Sequence, residues 1–486
     1  RSGGMTMIKD LGLKKAILRQ LHAQEDHEPT EEELASIIKL NAGKYDIAEL
    51  DGLEACVNLR ELNLTGNAIV SLKPLEQLKQ LEILNVSKNQ IRDVWALNGL
   101  YNLKRLDLSR NNLYLLDLSG IARLDNLEEL NLHRTKVDSI NAIEGMKKLR
   151  VLHLGVICNT LKLTSLSTLP NLEELDLSSM WLYEISDLYY LDRLQVLDLS
   201  TNLFHDLSPL MNMKHLRKLN LSNNKYLKDY TLLEKMKELK HLDISYNEPA
   251  DFAFLTQLDG LTHLSLCQTR FSDLTLLKNM KDLEYLDVSN NRIIHEKSLS
   301  KHEHLKSFIA RGCQLKNIDF LHHCTKMKEL NVFNNQISDI TVVKNFKELE
   351  ILNVSNNRIR NIDCIKELVE LRKILFAHNA IKDIHAVSQL TKLVEIDFYN
   401  NIVGDLMPMA KLSHVKRLRL DHNGIIDLEP LRNMKELTSL TLKANYIIDV
   451  SPLIDLKNLY ELRLDDNPID DVSMLEDLEY YDKFSV

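Results

Sequence analysis

Hydrophobic residues recur along most of the chain with a period of about 22 residues. The segments LRELNLTGNAIVSLKPLEQLKQ at 59–80 and LEILNVSKNQIRDVWALNGLYN at 81–102 share the pattern L-x-x-L-x-L-x-x-N-x-I-x-x-L-x-x-L-x-x-L. Nineteen such units begin between residues 59 and 459, at fifteen spacings of 22, two of 23 and one of 24 residues, and a degenerate unit at 37–58 precedes them. Because a single unit cannot bury its own apolar side chains, this repetition predicts a solenoid of stacked coils.

Within each unit the spacing of apolar residues changes from two to three. The alternation over the first six residues predicts a short strand, and the later spacing of three suits a 3₁₀ turn. We therefore expect an α/β solenoid. It would be an arc of about twenty coils, roughly 95 Å long, with short parallel strands on its concave face and 3₁₀ or extended segments on its convex face.

Two polar columns follow the same period. Counting from the first leucine-type residue of a unit, position nine is Asn in fourteen of the nineteen units, from Asn67 to Asn467. An Asn there can turn the chain and bind backbone groups through both its carbonyl and its amide. An Asp often follows four residues later, where a turn begins, as at Asp93, Asp339, Asp383, Asp427 and Asp449. Both columns are interpreted as structural.

The segment before the repeats predicts a small helical cap. LKKAILRQL has the pattern of an amphipathic helix, and Thr30 with Glu33 forms a capping box that begins a second helix. The predicted organisation is a tag remnant at 1–4, an N-terminal helical cap at 5–36 and a repeat solenoid with a short C-terminal cap at 37–486. The end strand near residue 459 is protected only by a short tail, so the chain is expected to be a monomer or an end-to-end dimer.

These repeats resemble the leucine-rich repeat family, and specifically its bacterial branch of 22-residue repeats, the internalins. The resemblance covers about 37–486, and Asp51-Gly52-Leu53-Glu54 is similar to the join between cap and first coil in that family. It implies a protein-binding solenoid. An internalin would also carry a signal peptide, an immunoglobulin-like domain after the repeats and often a wall anchor, and this sequence contains none of the three.

Charge and composition narrow the classes of partner. The net charge is −9, from 61 Lys and Arg against 70 Asp and Glu, which disfavours nucleic acid and anionic membranes. No run of 18 apolar residues occurs, so no membrane insertion is expected. Arg1 to Gly4 are interpreted as an expression-tag remnant and Met5 as a native start, which favours a cytoplasmic protein. If the sequence is a trimmed piece, a secreted or cell-surface location is the alternative.

The six cysteines are expected to be reduced thiols. They occupy different positions in their units, whereas a disulfide between coils needs matching positions in adjacent ones. Cys267 lies at position seven, which is expected to face solvent on the strand side and would be unfavourable outside the cell. The full set is Cys56, Cys158, Cys267, Cys313, Cys324 and Cys364.

No catalytic motif occurs, so the chain is predicted not to be an enzyme and to use no cofactor. One His- and Cys-rich segment at 295–324 offers an alternative function, metal binding. His302 and Cys324 share position twenty of adjacent coils and are expected to stack about 5 Å apart, so zinc would need two more ligands from His304, His322 or His323. His295 and Cys313 lie nearby in the sequence. The competing interpretation is a locally polar stretch of core.

Function is expected at positions three, five and seven, whose side chains form an array on the concave face. Position five is a polar stripe in the first eleven units, from Asn63 to Asp287, which is attributed either to binding or to hydrogen bonds between neighbouring strands. After residue 300 the columns become apolar and aromatic with a rim of charge, as in a binding hot spot. The predicted partner-binding residues there are Ile309, Arg311, Phe333, Ile351, Lys373, Leu375, Tyr399 and Arg417, with Glu395 also at the rim. Burial of some of these side chains is the alternative.

A second candidate surface lies between 103 and 193, where two of the longer coils occur. Position nine reads Thr135, Ile157 and Met180 in succession, which is expected to distort the stack locally. The distortion could present an aromatic contact surface or bury Trp181 instead. The candidate binding residues here are His133, His153, Trp181 and Tyr183.

The sequence thus predicts a bacterial, non-catalytic scaffold or regulator that binds a protein partner on its concave face. An exported internalin-like adhesin or virulence factor that binds a host receptor is the alternative. The partner itself cannot be named from repeats, because specificity lies in individual surface residues.

Overall fold

The computed structural model describes residues 8–157, 160–294, 299 and 301–486. The chain divides into two compact units, Arg1–His241 (unit 1) and Leu242–Val486 (unit 2). The predictions for residues 1–4, Met5, Cys158 and His295 lie outside the described residues. The domain boundaries predicted from the sequence stay predictions.

Unit 1 begins with two helices and continues as coils that each contribute a strand. The helices are α1 (Leu11–Gln20) and α2 (Glu31–Ala35). The strands are β1 (Lys39–Asn41), β2 (Glu61–Asn63), β3 (Ile83–Asn85), β4 (Arg105–Asp107), β5 (Leu115–Leu116), β6 (Glu129–Asn131), β7 (Lys136–Val137), β8 (Val151–His153), β9 (Glu174–Asp176), β10 (Val196–Asp198) and β11 (Lys218–Asn220). The short strand β12 (His241–Asp243) falls at the sequence boundary between the units.

Unit 2 repeats the same arrangement without further α-helices in its described part. Its strands are β13 (His263–Ser265), β14 (Tyr285–Asp287), β15 (Ser307–Ile309), β16 (Glu329–Asn331), β17 (Ile351–Asn353), β18 (Lys373–Leu375), β19 (Glu395–Asp397), β20 (Arg417–Arg419), β21 (Ser439–Thr441) and β22 (Glu461–Arg463). From β13 to β22 each strand pairs in parallel with the next, at an offset of one coil.

The coil geometry confirms the predicted solenoid. In the coil that starts at Leu59, the side chains of Leu59, Leu62 and Leu64 are fully buried, and the chain returns through a 3₁₀ turn at Lys73–Leu75. The strand residues alternate between the core and the face that carries the strands, and every third residue of the return points inward. Stacking therefore buries a column of leucine-type residues in each unit.

The Asn column is structural, as predicted. Asn89 donates through Nδ2 to the carbonyls of Leu64 and Val86, at 2.9 and 3.1 Å, and its Oδ1 accepts from the amide of Ile69 at 3.0 Å. One side chain thus satisfies backbone groups of two adjacent coils that no strand pairing reaches. Two substitutes, Thr135 and Thr269, each keep one donor bond to a carbonyl, and the thiol of a third, Cys313, contacts the carbonyls of Val288 and Arg311.

The longer coils of unit 1 do not interrupt the strand pairing. Asp107 pairs with Asn131 across the 24-residue coil, and His153 pairs with Asp176 across a 23-residue one. The extra residues are accommodated on the return side, where β5 and β7 form an additional parallel pair. Strand pairing therefore continues through 103–193, and the local distortion predicted from the missing Asn residues stays a prediction.

Both ends of the described chain are capped. At the N-terminus the predicted capping box of Thr30 and Glu33 is present, although α2 ends at Ala35. Asp10 caps α1 and also accepts hydrogen bonds from the amides of Ala48 and Glu49. At the other end Ser485 pairs with Arg463 in parallel, so the tail covers the outer edge of β22. This covering leaves less of the edge for an end-to-end dimer.

Candidate functional site

Most of the polar stripe at position five is structural. In these coils Oδ1 of the Asn or Asp accepts from the amide at position seven of the same coil. For Asp107 and Ser109 the bond is 2.9 Å, and for Asn353 and Ser355 it is 3.0 Å. The predicted hydrogen bonding between neighbouring strands is therefore mostly wrong, because the side chain folds back on its own strand end, as in an Asx turn.

In some coils where position five lacks Asn or Asp, a serine at position seven of the preceding coil accepts the hydrogen bond instead. The amide of Arg311 donates to Oγ of Ser289 at 3.1 Å, and the amide of Ala377 donates to Oγ of Ser355 at 3.2 Å. Because these serines accept the hydrogen bond, the side chain at position five is not needed as an acceptor. Ile309 and Leu375 occupy position five in these two coils, and the amide at position seven keeps a hydrogen-bond partner in both.

The eight residues predicted after position 300 lie on the strand face of unit 2, and we call them the unit 2 patch. Arg311, Phe333, Lys373 and Arg417 are exposed, with 38% of Phe333 accessible. The other four members are half-buried, namely Ile309, Ile351, Leu375 and Tyr399. The strand register places Ile351 beside Lys373, and Lys373 beside Glu395.

Tyr399 is the centre of a ring cluster that sequence reasoning only partly found. The ring of His378 lies 5.1 Å from that of Tyr399, and the ring of His422 lies 5.4 Å from it. The Arg419 guanidinium lies 5.1 Å from the centre of the Tyr399 ring. The two histidines occupy position eight, with left-handed backbones that place them at the strand ends. A search limited to positions three, five and seven misses that column.

The candidate histidines of unit 1 converge on one carboxylate. His133 Nδ1 lies 3.2 Å from Asp176 Oδ2, and His153 Nδ1 lies 3.8 Å from the same oxygen. His153 Nε2 also bonds Glu174 at 2.9 Å. His133 spans the intervening coil because position seven there is Gly155, where a Cβ would lie 2.5 Å from Asp176 Oδ2.

Charge interactions in this cluster shift two pKa values in opposite directions. The interaction with the Asp176 carboxylate raises the pKa of His153 above its ordinary value, with a smaller contribution from Glu174. Burial alone would raise the pKa of Asp176, but its interactions with His153 and Ser178 outweigh burial and lower it. The ion-paired state of the cluster is therefore favoured at mildly acidic pH.

Trp181 and Tyr183 are the most exposed aromatic residues of the predicted set. Their accessible fractions are 75% and 74%, so the alternative of a buried Trp181 is wrong. Trp181 has a left-handed backbone, with a φ of 58°. It borders a cavity that is also lined by Val156, Ile157 and Lys225. This surface is separate from the histidine cluster at Asp176.

The position of Cys267 differs from the prediction. Cys267 was predicted to face solvent, but only 8% of it is exposed, because position seven packs closely between adjacent coils. Its amide donates to Oγ of Ser245 at 3.0 Å. Burial raises the pKa of its thiol to about 12, with a smaller effect from Asp287. The described cysteines are all free thiols: Cys56, Cys267, Cys313, Cys324 and Cys364.

The candidate metal ligands are not brought together. His302 is 1% exposed, and its Nε2 bonds the carbonyl of Leu277 at 2.9 Å. Cys324 makes the equivalent contact one coil later, 3.5 Å from the carbonyl of Leu299. His304 and His322 are exposed. Among the described residues no group of three or more His, Cys, Asp or Glu side chains has an arrangement that could hold a metal ion.

Comparisons with known proteins agree with the coil geometry. A model described as leucine-rich repeats (two copies) matches residues 57–101 and 303–345, and one described as leucine-rich repeat matches 101–155. A search of curated proteins gave no match. Within the described part of the chain, no helix is long and apolar enough to span a membrane.

Similar solved structures include bacterial proteins and a mouse complex. An internalin, InlF of Listeria monocytogenes, is 26% identical over 85% of this chain and 95% of its own, with a TM-score of 0.37. A Leptospira interrogans leucine-rich repeat protein is 23% identical over 94% and 97%, with a TM-score of 0.42. The mouse RP105/MD-1 complex is 20% identical over 92% and 86%, with a TM-score of 0.60. Leucine-rich repeat models thus match parts of both units, and the coils have the architecture of a leucine-rich repeat solenoid, with repeats similar to those of internalins in length and pattern.

Proposed function

We propose that the chain is a non-catalytic recognition scaffold that binds a protein partner through the unit 2 patch. The observation that carries this proposal is the exposure of Phe333, between half-buried aliphatic residues and exposed Arg311, Lys373 and Arg417. An apolar centre with a charged rim is the usual composition of a protein-binding hot spot. The strand pairing makes the surface rigid, which lowers the entropic cost of binding.

Two further points support a binding role rather than catalysis. Ser289 and Ser355 accept hydrogen bonds from backbone amides where apolar side chains replace Asn or Asp, so the apolar residues of the patch are compatible with a stable coil. The mouse RP105/MD-1 structure, whose matched chain is similar in fold, is a complex of two proteins. Trp181 and Tyr183 offer a second contact surface on unit 1 for the same or another partner.

The test is affinity capture with a paired set of variants. The wild type, a Phe333→Glu, Tyr399→Glu variant and a Tyr446→Glu, Tyr460→Glu control are used as baits in lysate of the native host and with candidate host-cell surface proteins. The control residues are also exposed aromatics of unit 2, more than half accessible, and lie outside the patch. A partner retained by wild type and control but lost from the patch variant supports the proposal. A partner retained by all three contradicts it.

The proposed location is the cytoplasm, with export as the alternative. The free thiols of the five described cysteines support a reducing compartment, since secreted proteins usually pair theirs. The sequence argument that an exposed Cys267 favours the cytoplasm does not apply, because Cys267 is buried. Detection of the protein in culture medium rather than in the cell fraction would reject the cytoplasmic location and favour an exported adhesin.

A further inference from the structure

The strand face of unit 2 separates its charges by depth. Between residues 305 and 421, positions three, five and seven hold four basic side chains, Arg311, Lys373, Arg417 and Arg419, and all four residues are exposed. The same positions hold four acidic residues, of which Asp397 and Asp421 are buried and Glu329 and Glu395 are half-buried. The exposed charged residues at these positions are therefore all basic, although the whole chain carries a net charge of −9.

Three of these four acidic residues, Glu395, Asp397 and Asp421, are already engaged within the fold. Glu395 lies between two bases, 3.7 Å from Lys373 and 4.0 Å from Arg417. Asp397 accepts from the amide of Tyr399 at 2.8 Å and lies 3.4 Å from Arg419. These acids hold the basic side chains in place from below. The bases keep donors directed outward, because a guanidinium carries five N–H groups and one carboxylate uses at most two.

Asp421 is engaged by the next coil instead. It accepts from the hydroxyl of Thr441 at 2.6 Å and from the amide of Lys443 at 2.9 Å. Asp421 is buried and its carboxylate oxygens are used in this way, so they are not free to contact an occupant of the patch.

The ring cluster adds an aromatic surface beside the bases. Tyr399 lies between His378 and His422, and Arg419 lies over its ring. Asn400 Nδ2 lies 2.9 Å from His378 Nδ1, which orients that ring. Leu375 lies next to Asp397 in the strand register and continues the apolar surface away from the cluster. A segment that fits here needs carboxylates for the arginines and an apolar side chain for the rings.

From this arrangement we infer that the occupant of the unit 2 patch is an acidic protein segment with an aromatic or aliphatic anchor. Asp or Glu side chains of the segment pair with Lys373, Arg417 and Arg419, and its anchor packs against the cluster at Tyr399. This inference rests on the proposed function and adds the chemistry of the partner. Nucleic acid is disfavoured, because the chain as a whole carries a net charge of −9.

The experiment selects ligands from a phage-displayed library of random 12-residue peptides. Baits are the full chain as wild type, an Arg417→Glu, Arg419→Glu variant and a control, Lys39→Glu, Lys218→Glu. The control reverses two exposed bases at position three of unit 1 strands, so its net charge changes by the same amount. The expected result is enrichment of Asp- and Glu-rich peptides with an apolar anchor on wild type and control. A synthetic consensus peptide should bind the patch variant at least tenfold more weakly than it binds the wild type. A peptide in which Gln replaces each Glu should lose a similar amount of affinity for the wild type.

Several outcomes overturn the inference. Neutral or basic enriched peptides, absence of enrichment on wild type, or equal weakening by the control each reject an acidic partner at this patch. Tighter binding of a single-stranded RNA 12-mer, lost in the same patch variant, would assign the surface to nucleic acid. If no acidic peptides are enriched while the affinity capture of a protein partner still depends on Phe333 and Tyr399, only the inference of an acidic partner is wrong. If both fail, the proposed docking surface is wrong as well.

Discussion

The hydroxyl of Ser355 accepts a hydrogen bond from the amide of Ala377, one coil further on, at 3.2 Å. In coils with Asn or Asp at position five, that amide would instead be bound within its own coil. Ser355 is 5% exposed, so water offers little replacement. The serine therefore permits Leu375 at position five.

The first prediction concerns this exchange of partners. Ser355→Ala should lower the free energy of unfolding by about 1 kcal/mol, because the amide of Ala377 loses its acceptor in a buried position. Adding Leu375→Asn should restore most of that loss, since the new Oδ1 can accept from the same amide. Urea unfolding of both variants measures this. A double variant that is less stable than Ser355→Ala alone would show that the serine does not substitute for Asn.

The second prediction concerns the Asn column. Asn111 is fully buried, donates to the carbonyl of Leu108 at 2.7 Å and accepts from the amide of Ile91 at 3.0 Å. Asn111→Ala should cost at least about 2 kcal/mol of unfolding free energy, because several buried backbone groups lose partners. The adjacent exposed Asn112→Ala is the control and should change stability little. Similar losses in both variants, measured by urea unfolding, would contradict a structural column.

The third prediction is a pH dependence in unit 1. The pKa of His153 is raised from 6.5, so its contribution to stability is complete below that pH and is lost as pH rises through the raised value. The pKa of Asp176 is lowered from 3.8, so its contribution is present above that pH and is lost only in stronger acid. The pair therefore stabilises the fold most between about pH 4 and 6.5.

His153→Gln should thus lower the thermal unfolding midpoint more at pH 5.5 than at pH 8.5, relative to wild type at each pH. His215→Gln is the control, since His215 lies on the exposed surface beside Glu238. An equal shift at both pH values would mean that His153 contributes through packing rather than through its charge.

The fourth prediction concerns His302. Its Nδ1 is buried without a hydrogen-bond partner, and the carbonyl of Leu277 that its Nε2 contacts also accepts from the amide of Met280. His302→Met should leave stability unchanged or raise it by about 1 kcal/mol, because Met280 occupies the same position one coil earlier. Urea unfolding measures the change. Zinc titration should give the same result for wild type and variant, and zinc binding lost with His302 would revive the metal site.

The period of the apolar residues was sufficient to predict the coils, their parallel strands and the roles of the Asn and Asp columns. Each of these depends on spacing along the chain, because a residue at position four or six meets its counterpart in every neighbouring coil. The capping box of Thr30 and Glu33 was predictable for the same reason, since both partners lie within one turn. The candidate patch of unit 2 also followed from the change in residue type along three columns.

Other features needed the tertiary structure. The histidines beside Tyr399 and the reach of His133 across Gly155 join residues from different coils, at columns that the repeat pattern does not mark as exposed. Cys267 was predicted to face solvent, but the stacking of small side chains at position seven buries it. The sequence by itself determined the coil and its stacking, because those depend on a regular spacing of leucines. Only the tertiary structure decided which surface groups are free to bind, because that depends on whether a neighbouring coil already uses them.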